Sequence, residues 1–162
     1  MMRRLAILGL CFAAGTATAQ TGVALGGFDY DKGAPVEITA DALDVNQSTG
    51  NATFDGNVVI GQGGMRLAAG KVVVEYGADA SGKNEIRRLV ASGGVTLVSA
   101  EEAAEAQTAI YSVADGTIVL SGAVLVTQGP AAISGDQLSV DLSTGSGTVT
   151  GNVRTVLNPG GN

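Results

Sequence analysis

No histidine and no tryptophan occur among the 162 residues, and the one cysteine, Cys11, lies close to the N-terminus. Without imidazole there is no Ser-His-Asp triad and no histidine ligand for a metal. Aromatic residues make up 4% of the chain, too few for the stacking platforms that hold sugars. A net charge of −6 argues against a nucleic-acid partner, which calls for a basic face. After residue 20 no apolar run is long enough to cross a bilayer as a helix. Neither a Walker motif nor a paired-acid motif is present. What chemistry remains belongs to carboxylates, lysine or tyrosine. No catalytic residue, metal site or cofactor is expected.

The N-terminus does carry a pattern. Arg3 and Arg4 precede the apolar run Leu5 to Ala14, and Ala17-Thr18-Ala19 supplies small residues for a peptidase. This is a secretory signal, expected to be cleaved after Ala19. Leu10 before Cys11 is too large for a good lipobox, so lipidation is the weaker reading. Cleavage removes Cys11, Arg3 and Arg4, leaving a more acidic chain with no disulfide. Residues 20–35 are Gly-rich and weakly patterned, and read as a flexible N-terminal arm.

From Val36 the apolar period is two, in short runs divided by Gly, Asn, Asp and Ser. The runs repeat. Gly56-Asn57-Val58, Gly93-Gly94-Val95, Gly122-Ala123-Val124 and Gly151-Asn152-Val153 recur at intervals of 37, 29 and 29 residues. The long interval contains an extra eight-residue polar stretch, residues 77–84. Repeats of this length, with more than one strand each, predict stacked hairpins that share one apolar core. Ser99 to Gln107 resists: Glu101-Glu102-Ala103-Ala104-Glu105-Ala106 favours helix by propensity. It is expected as an exposed acidic connection or edge strand, with a helical turn as the alternative.

Several motifs in this order resemble the OstA-like domain family, and within it the periplasmic lipopolysaccharide transport protein A family. They are Val36-Glu37-Ile38-Thr39-Ala40-Asp41, Phe54-Asp55-Gly56-Asn57-Val58, Lys71-Val72-Val73-Val74, Ala109-Ile110-Tyr111, Val119-Leu120-Ser121-Gly122, Ile133-Ser134-Gly135-Asp136 and Val153-Arg154-Thr155-Val156-Leu157. No single motif is specific; their order and spacing are. The resemblance implies an all-β fold over residues 36–158, followed by a short tail, 159–162. That fold is a V-shaped, taco-like β-jellyroll of two antiparallel sheets, built from repeated hairpins and open at both ends. It implies a periplasmic protein that shields the acyl chains of lipopolysaccharide in an apolar groove and bridges inner and outer membranes. The implied partners are lipopolysaccharide, an inner-membrane-anchored jellyroll protein (LptC-like), an outer-membrane receptor (LptD-like) and further copies of the chain, head to tail. By position, Val36, Ile38, Leu97, Tyr111 and Val113 would line the groove, with Phe54 as its floor. Val36 and Ile38 at one end, and Val153 and Val156 at the other, would form the assembly edges. The sequence departs from the family's pattern at Ala123, where asparagine is usual, and at Leu97, where an aromatic is common.

Bland readings stand beside these. An exported structural β-repeat, such as an adhesin or scaffold, is the alternative function. It predicts a dry, interlocked interior, whereas a carrier predicts a hollow groove. Asp41 and Asp136, at matching repeat positions, are read as turn caps rather than a calcium or acid pair. Lys71 is expected to cap a strand edge or to meet a surface carboxylate. Arg87 and Arg88 are read as a solvated strand face before a lipid-phosphate site. A buried Tyr111 would need a partner for its phenol.

Overall fold

The structure, a computed structural model, describes residues 21–24, 31, 33–99 and 102–157. The signal, residues 1–19, and the tail, 159–162, lie outside the described residues, as does much of the arm, 20–35.

Among the described residues eleven strands form one antiparallel sheet: β1 (Thr21–Ala24), β2 (Glu37–Thr39), β3 (Ala42–Asn46), β4 (Asn51–Gln62), β5 (Met65–Ala78), β6 (Asn84–Ser99), β7 (Glu102–Ser112), β8 (Thr117–Gln128), β9 (Ala131–Asp141), β10 (Ser146–Thr150) and β11 (Arg154–Leu157). The spatial order is β1-β10-β9-β8-β7-β6-β5-β4-β2, with β3 beside β2 on β4 and β11 beside β10 on β9. β1 falls within the stretch that reads as an arm from sequence.

The Gly-x-Val repeat turns out to be the crease of this sheet. Gly56-Asn57, Gly93-Gly94, Gly122-Ala123 and Gly151-Asn152 all have positive φ. The strand register shifts between Asp55 and Val58, Ser92 and Val95, and Ser121 and Val124. Each is a bulge that bends a long strand. The aligned bends fold the sheet into two limbs. Limb A holds β2, β11, the C-terminal halves of β4, β6 and β8, and the N-terminal halves of β5, β7 and β9. Limb B holds β1, β3, β10 and the other halves. β2–β3 and β10–β11 are each one long strand broken at the crease. The chain is therefore four side-by-side hairpins. The extra residues of the second hairpin lengthen β5 and β6, and their turn is closed by Asp79, whose carboxylate accepts from the Ser81 and Lys83 amides.

At both ends of the sheet the crease is clamped alike. The Asp41 amide donates to the Gly56 carbonyl (2.9 Å), and the Asn57 side chain donates to the Asp41 carboxylate (2.7 Å). Asp136 repeats this with Gly151 and Asn152, both at 2.9 Å. The two aspartates clamp neighbouring strands at the crease and do not cap a local turn: each carboxylate accepts from an asparagine side chain 16 positions further on. At the third crease Ala123 has no such clamp and sits at φ 48°, where the two asparagines sit at 47° and 48°. Left-handed backbone disfavours alanine more than asparagine. Ala123→Asn is therefore expected to stabilise the fold by about 0.5–1 kcal/mol, read from the urea midpoint.

One expectation is overturned. Residues 102–107 are neither an exposed connection, an edge strand nor helical. They open β7, a central strand with β6 and β8 on either side. Glu102 and Ala104 turn inward and are buried, while Glu105 points out. Hydrogen bonding on both edges outweighs the local helix propensity of alanine and glutamate, which counts for only tenths of a kcal/mol per residue.

Candidate functional site

The space between the limbs is the candidate site. Alternation sends one face of every strand inward. In limb A a row runs Ile38, Ile60, Leu67, Leu97, Ala104, Val126, Ile133, Thr155. In limb B a matching row runs Leu43, Phe54, Val72, Ala91, Ala109, Leu120, Leu138, Val149. Except at the ends of the rows, where Ile38 and Phe54 are half-buried and Leu43 and Thr155 exposed, these side chains are buried, and Leu97, Leu120 and Leu138 expose nothing. Each such aliphatic side chain contributes about 1.5–3 kcal/mol when removed from water.

Polar inward groups gather at the limb A rim, farthest from the crease: Gln62, Ser99 and Glu102 are the buried polar residues of the described chain. There Tyr111, reaching from limb B, donates its hydroxyl to Gln62 Oε1 (2.6 Å), and Gln62 Nε2 donates to the Ala34 carbonyl (3.2 Å). Gln128 donates to Glu102 on the neighbouring strand. The lips of the two limbs are thus tied by a buried polar link over an aliphatic interior. Sequence reading missed Gln62. Its signal was a polar residue at an apolar position, in phase with Val58 and Ile60.

The expected groove residues fall into two groups. Leu97 and Tyr111 lie in the closed interior. Val36, Ile38, Phe54 and Val113 are half-buried against the core. At the β2–β3 end none of the described residues covers the interior. Ile38, Ala40, Leu43 and Phe54 line an open concavity of about 420 Å³ there. Phe54 therefore stands at the end of limb B, beside this opening. Of the expected edge residues, Ile38 lies in β2 and Val156 in β11, whereas Val36 and Val153 immediately precede those strands. The end strands are exposed: Leu43 is 57%, Val45 60% and Leu157 69% accessible.

Apart from Glu102, no charged residue of the described chain is buried. Lys71 pairs with Asp55 across the strands at 2.9 Å. That hydrogen bond, and then the charge of the carboxylate, hold the lysine amine above its ordinary range. Arg88 donates to the Glu75 carboxylate through Nε (3.0 Å) and Nη2 (2.7 Å). Arg87 lies over Gly77, in an outer cleft where Glu75 and Asp115 balance the two guanidinium groups. Among the described residues no group of three or more carboxylates could hold a metal ion, and no helix is long and apolar enough to cross a membrane.

An all-β antiparallel sheet, open rather than closed into a barrel and creased into two limbs over an aliphatic interior, defines a jellyroll-type β-protein with bare ends. Its structure is similar to that of LptH from Pseudomonas aeruginosa, described as the LptA-homologous periplasmic component of the lipopolysaccharide transport device. The TM-score is 0.69 at 19% identity, over 80% of this chain and 99% of LptH. An uncharacterized protein of Rhizobium meliloti (strain 1021) is 32% identical over 161 residues, 94% of this chain and 87% of that protein. Residues 37–146 match the family described as LptA/(LptD N-terminal domain) LPS transport protein. The chain belongs to that family. It is an LptA-like lipopolysaccharide transport domain, and the family is one of transport proteins, not enzymes.

Proposed function

We propose that this chain, exported by its N-terminal signal, carries lipopolysaccharide in the periplasm by holding acyl chains between the two limbs. The observation that carries this reading is the mainly aliphatic lining of both limbs, polar at the lip and at Thr155 in the end strand β11. Val36, Ile38, Leu97, Tyr111 and Val113, with Phe54 at the open end, would meet the lipid. Copies of the chain would join end to end through the edge strands of the two sheet ends, and would meet an inner-membrane-anchored jellyroll partner and an outer-membrane receptor in the same way.

The interior is packed and not hollow, contrary to the hollow groove expected of a carrier, so on this reading the limbs must open for lipid. Full transfer of acyl methylenes from water gives about 0.8 kcal/mol each, enough to trap a lipid with many chains. Here an acyl chain must part the limbs and replace contacts between leucines with contacts to lipid. Side-chain packing given up on entry offsets part of the gain. The lipid can then move between like sites, driven by energy supplied elsewhere. A structural β-repeat would share the packed interior, so binding has to be measured.

A photoreactive amino acid at Ile38, Leu97 and Tyr111, with Lys83 as the exposed control, tests this in membranes supplied with ATP. Lipopolysaccharide adducts are expected at the three inner positions and not at Lys83. A folded, exported protein without any adduct would leave the structural β-repeat as the better account.

A further inference from the structure

The four hairpins pack on each other in one register. Where β5 meets β4, β7 meets β6 and β9 meets β8, three bulge glycines, Gly56, Gly93 and Gly122, set the alignment. The residue two past the glycine (Val58, Val95, Val124) faces Ala69, Ala106 and Gly135 in turn. The residue just before it (Asp55, Ser92, Ser121) faces Lys71, Thr108 and Gln137. Between each of those facing pairs the incoming strand has one residue at its bend: Gly70, Gln107 or Asp136. All three junctions obey one rule although their sequences differ.

The rule extends to a junction between two copies. The last long strand, β10–β11, carries the glycine Gly151. The first long strand, β2–β3, carries the bend residue Asp41, clamped like Asp136. Applied there, the rule sets Val153 opposite Ala40 of the second copy and Thr150 opposite its Ala42. Continuing along limb B, Val149 meets Leu43, Thr148 meets Asp44, Gly147 meets Val45 and Ser146 meets Asn46. The two exposed apolar residues of β3 would then extend the buried inward rows of limb B.

Those four positions of β10 are already taken. β1 pairs with them in the same antiparallel sense: Thr21 with Val149, Gly22 with Thr148, Val23 with Gly147 and Ala24 with Ser146. Among the described residues no strand covers β11, the limb A half of that end, nor β2 and β3 at the other end. We propose that β1 is a removable cap that occupies, residue for residue, the place of Leu43–Asn46 of a second copy. A bare edge is an aggregation hazard, and the cap shields half of it in the single molecule. The uncovered β11 is the toehold: β2 of a second copy pairs there first, and its β3 then displaces β1 strand for strand. This inference rests on the end-to-end assembly proposed above.

The test uses two variants of the exported protein. Gly22→Cys with Thr148→Cys places thiols on facing positions, and Cys11 is the chain's one native cysteine, in the signal. Oxidation should lock the cap within one molecule. The locked protein should remain single at concentrations where the wild type forms chains, by analytical ultracentrifugation, and reduction should restore assembly. Gly22→Pro with Val23→Pro removes two consecutive backbone N–H groups and should free the edge. A cap that is closed nine-tenths of the time lowers apparent affinity about tenfold, so this variant should assemble at about one-tenth of the wild-type concentration. Assembly of the oxidised protein equal to the wild type, or a disulfide between two molecules in dilute solution, would overturn the cap. So would proline and wild-type proteins that assemble alike. If neither of those two assembles at any concentration, the end-to-end reading itself fails, and the cap with it.

Discussion

Replacing Tyr111 with alanine should remove about 3–5 kcal/mol of unfolding free energy, among the largest losses available to a single side chain here. The ring is 1% exposed and comes from limb B, and its hydroxyl is spent on Gln62 of limb A. Gln62 in turn holds the Ala34 carbonyl, so three chain segments meet on one buried link. Truncation opens a cavity between the limbs and also leaves the Gln62 oxygen without its phenol donor. Tyr111→Phe separates the two effects. It keeps the ring and should lose about 1–3 kcal/mol, the cost of depriving a buried acceptor. Urea unfolding of both variants checks the ordering. A phenylalanine variant as stable as wild type would mean that the lips are held by packing alone. If lipid enters between the limbs, the same variant should load faster, because the tie it lacks must open on entry.

The second large effect is expected at Gly135, which faces Val124 at the crease of the last hairpin. A Cβ there would stand 2.4 Å from Val149 Cγ1, 3.1 Å from the Thr150 carbonyl oxygen and 3.2 Å from that of Gly151. The valine can shift, but the two carbonyls are backbone. Ala69 and Ala106 hold the same place in the earlier hairpins, where β6 and β8 sit at the crease instead. Gly135→Ala should therefore lift β10 from β9 and cost about 1–3 kcal/mol, by the usual penalty for overpacking. Amide exchange should rise at Gln137–Asp141 and at Ser146–Thr150 while β5 and β6 stay protected. Uniform loosening of the whole sheet would contradict a local clash. Such a variant should also lose the edge on which further copies are proposed to dock.

Much of this architecture could be read before any coordinates. Gly-x-Val is legible because left-handed backbone leaves a mark in composition, and its spacing gives the hairpin length directly. The inward rows are legible because alternation survives in sequence. Three things were not. Ser99 to Gln107 is judged by its own residues in a sequence, but its conformation is decided by strands on both sides, which lie elsewhere in the chain. β1 is four residues of weak pattern among glycines, and becomes a strand through β10, more than a hundred residues away. The closure of the interior was hidden for a different reason. Valine, leucine and alanine facing inward compose a packed core and an acyl-lined groove equally well, so composition does not separate full from hollow. Gln62 could have been suspected from its phase, but its partner Tyr111 is 49 positions further on.

The common register has a consequence for size. Because every hairpin presents the same edge that it receives, a hairpin can be removed or duplicated without altering what the remaining ends offer. Excising residues 102–130 would bring β6 against β9 in the alignment it now has with β7. Strands lie about 4.7–4.9 Å apart, so each excision or duplication changes the length of the molecule by about 10 Å. The protein behaves as a ruler with fixed graduations. A lineage needing a longer or shorter reach could obtain it by gaining or losing whole hairpins or, on the proposed end-to-end assembly, by changing the number of copies in a row.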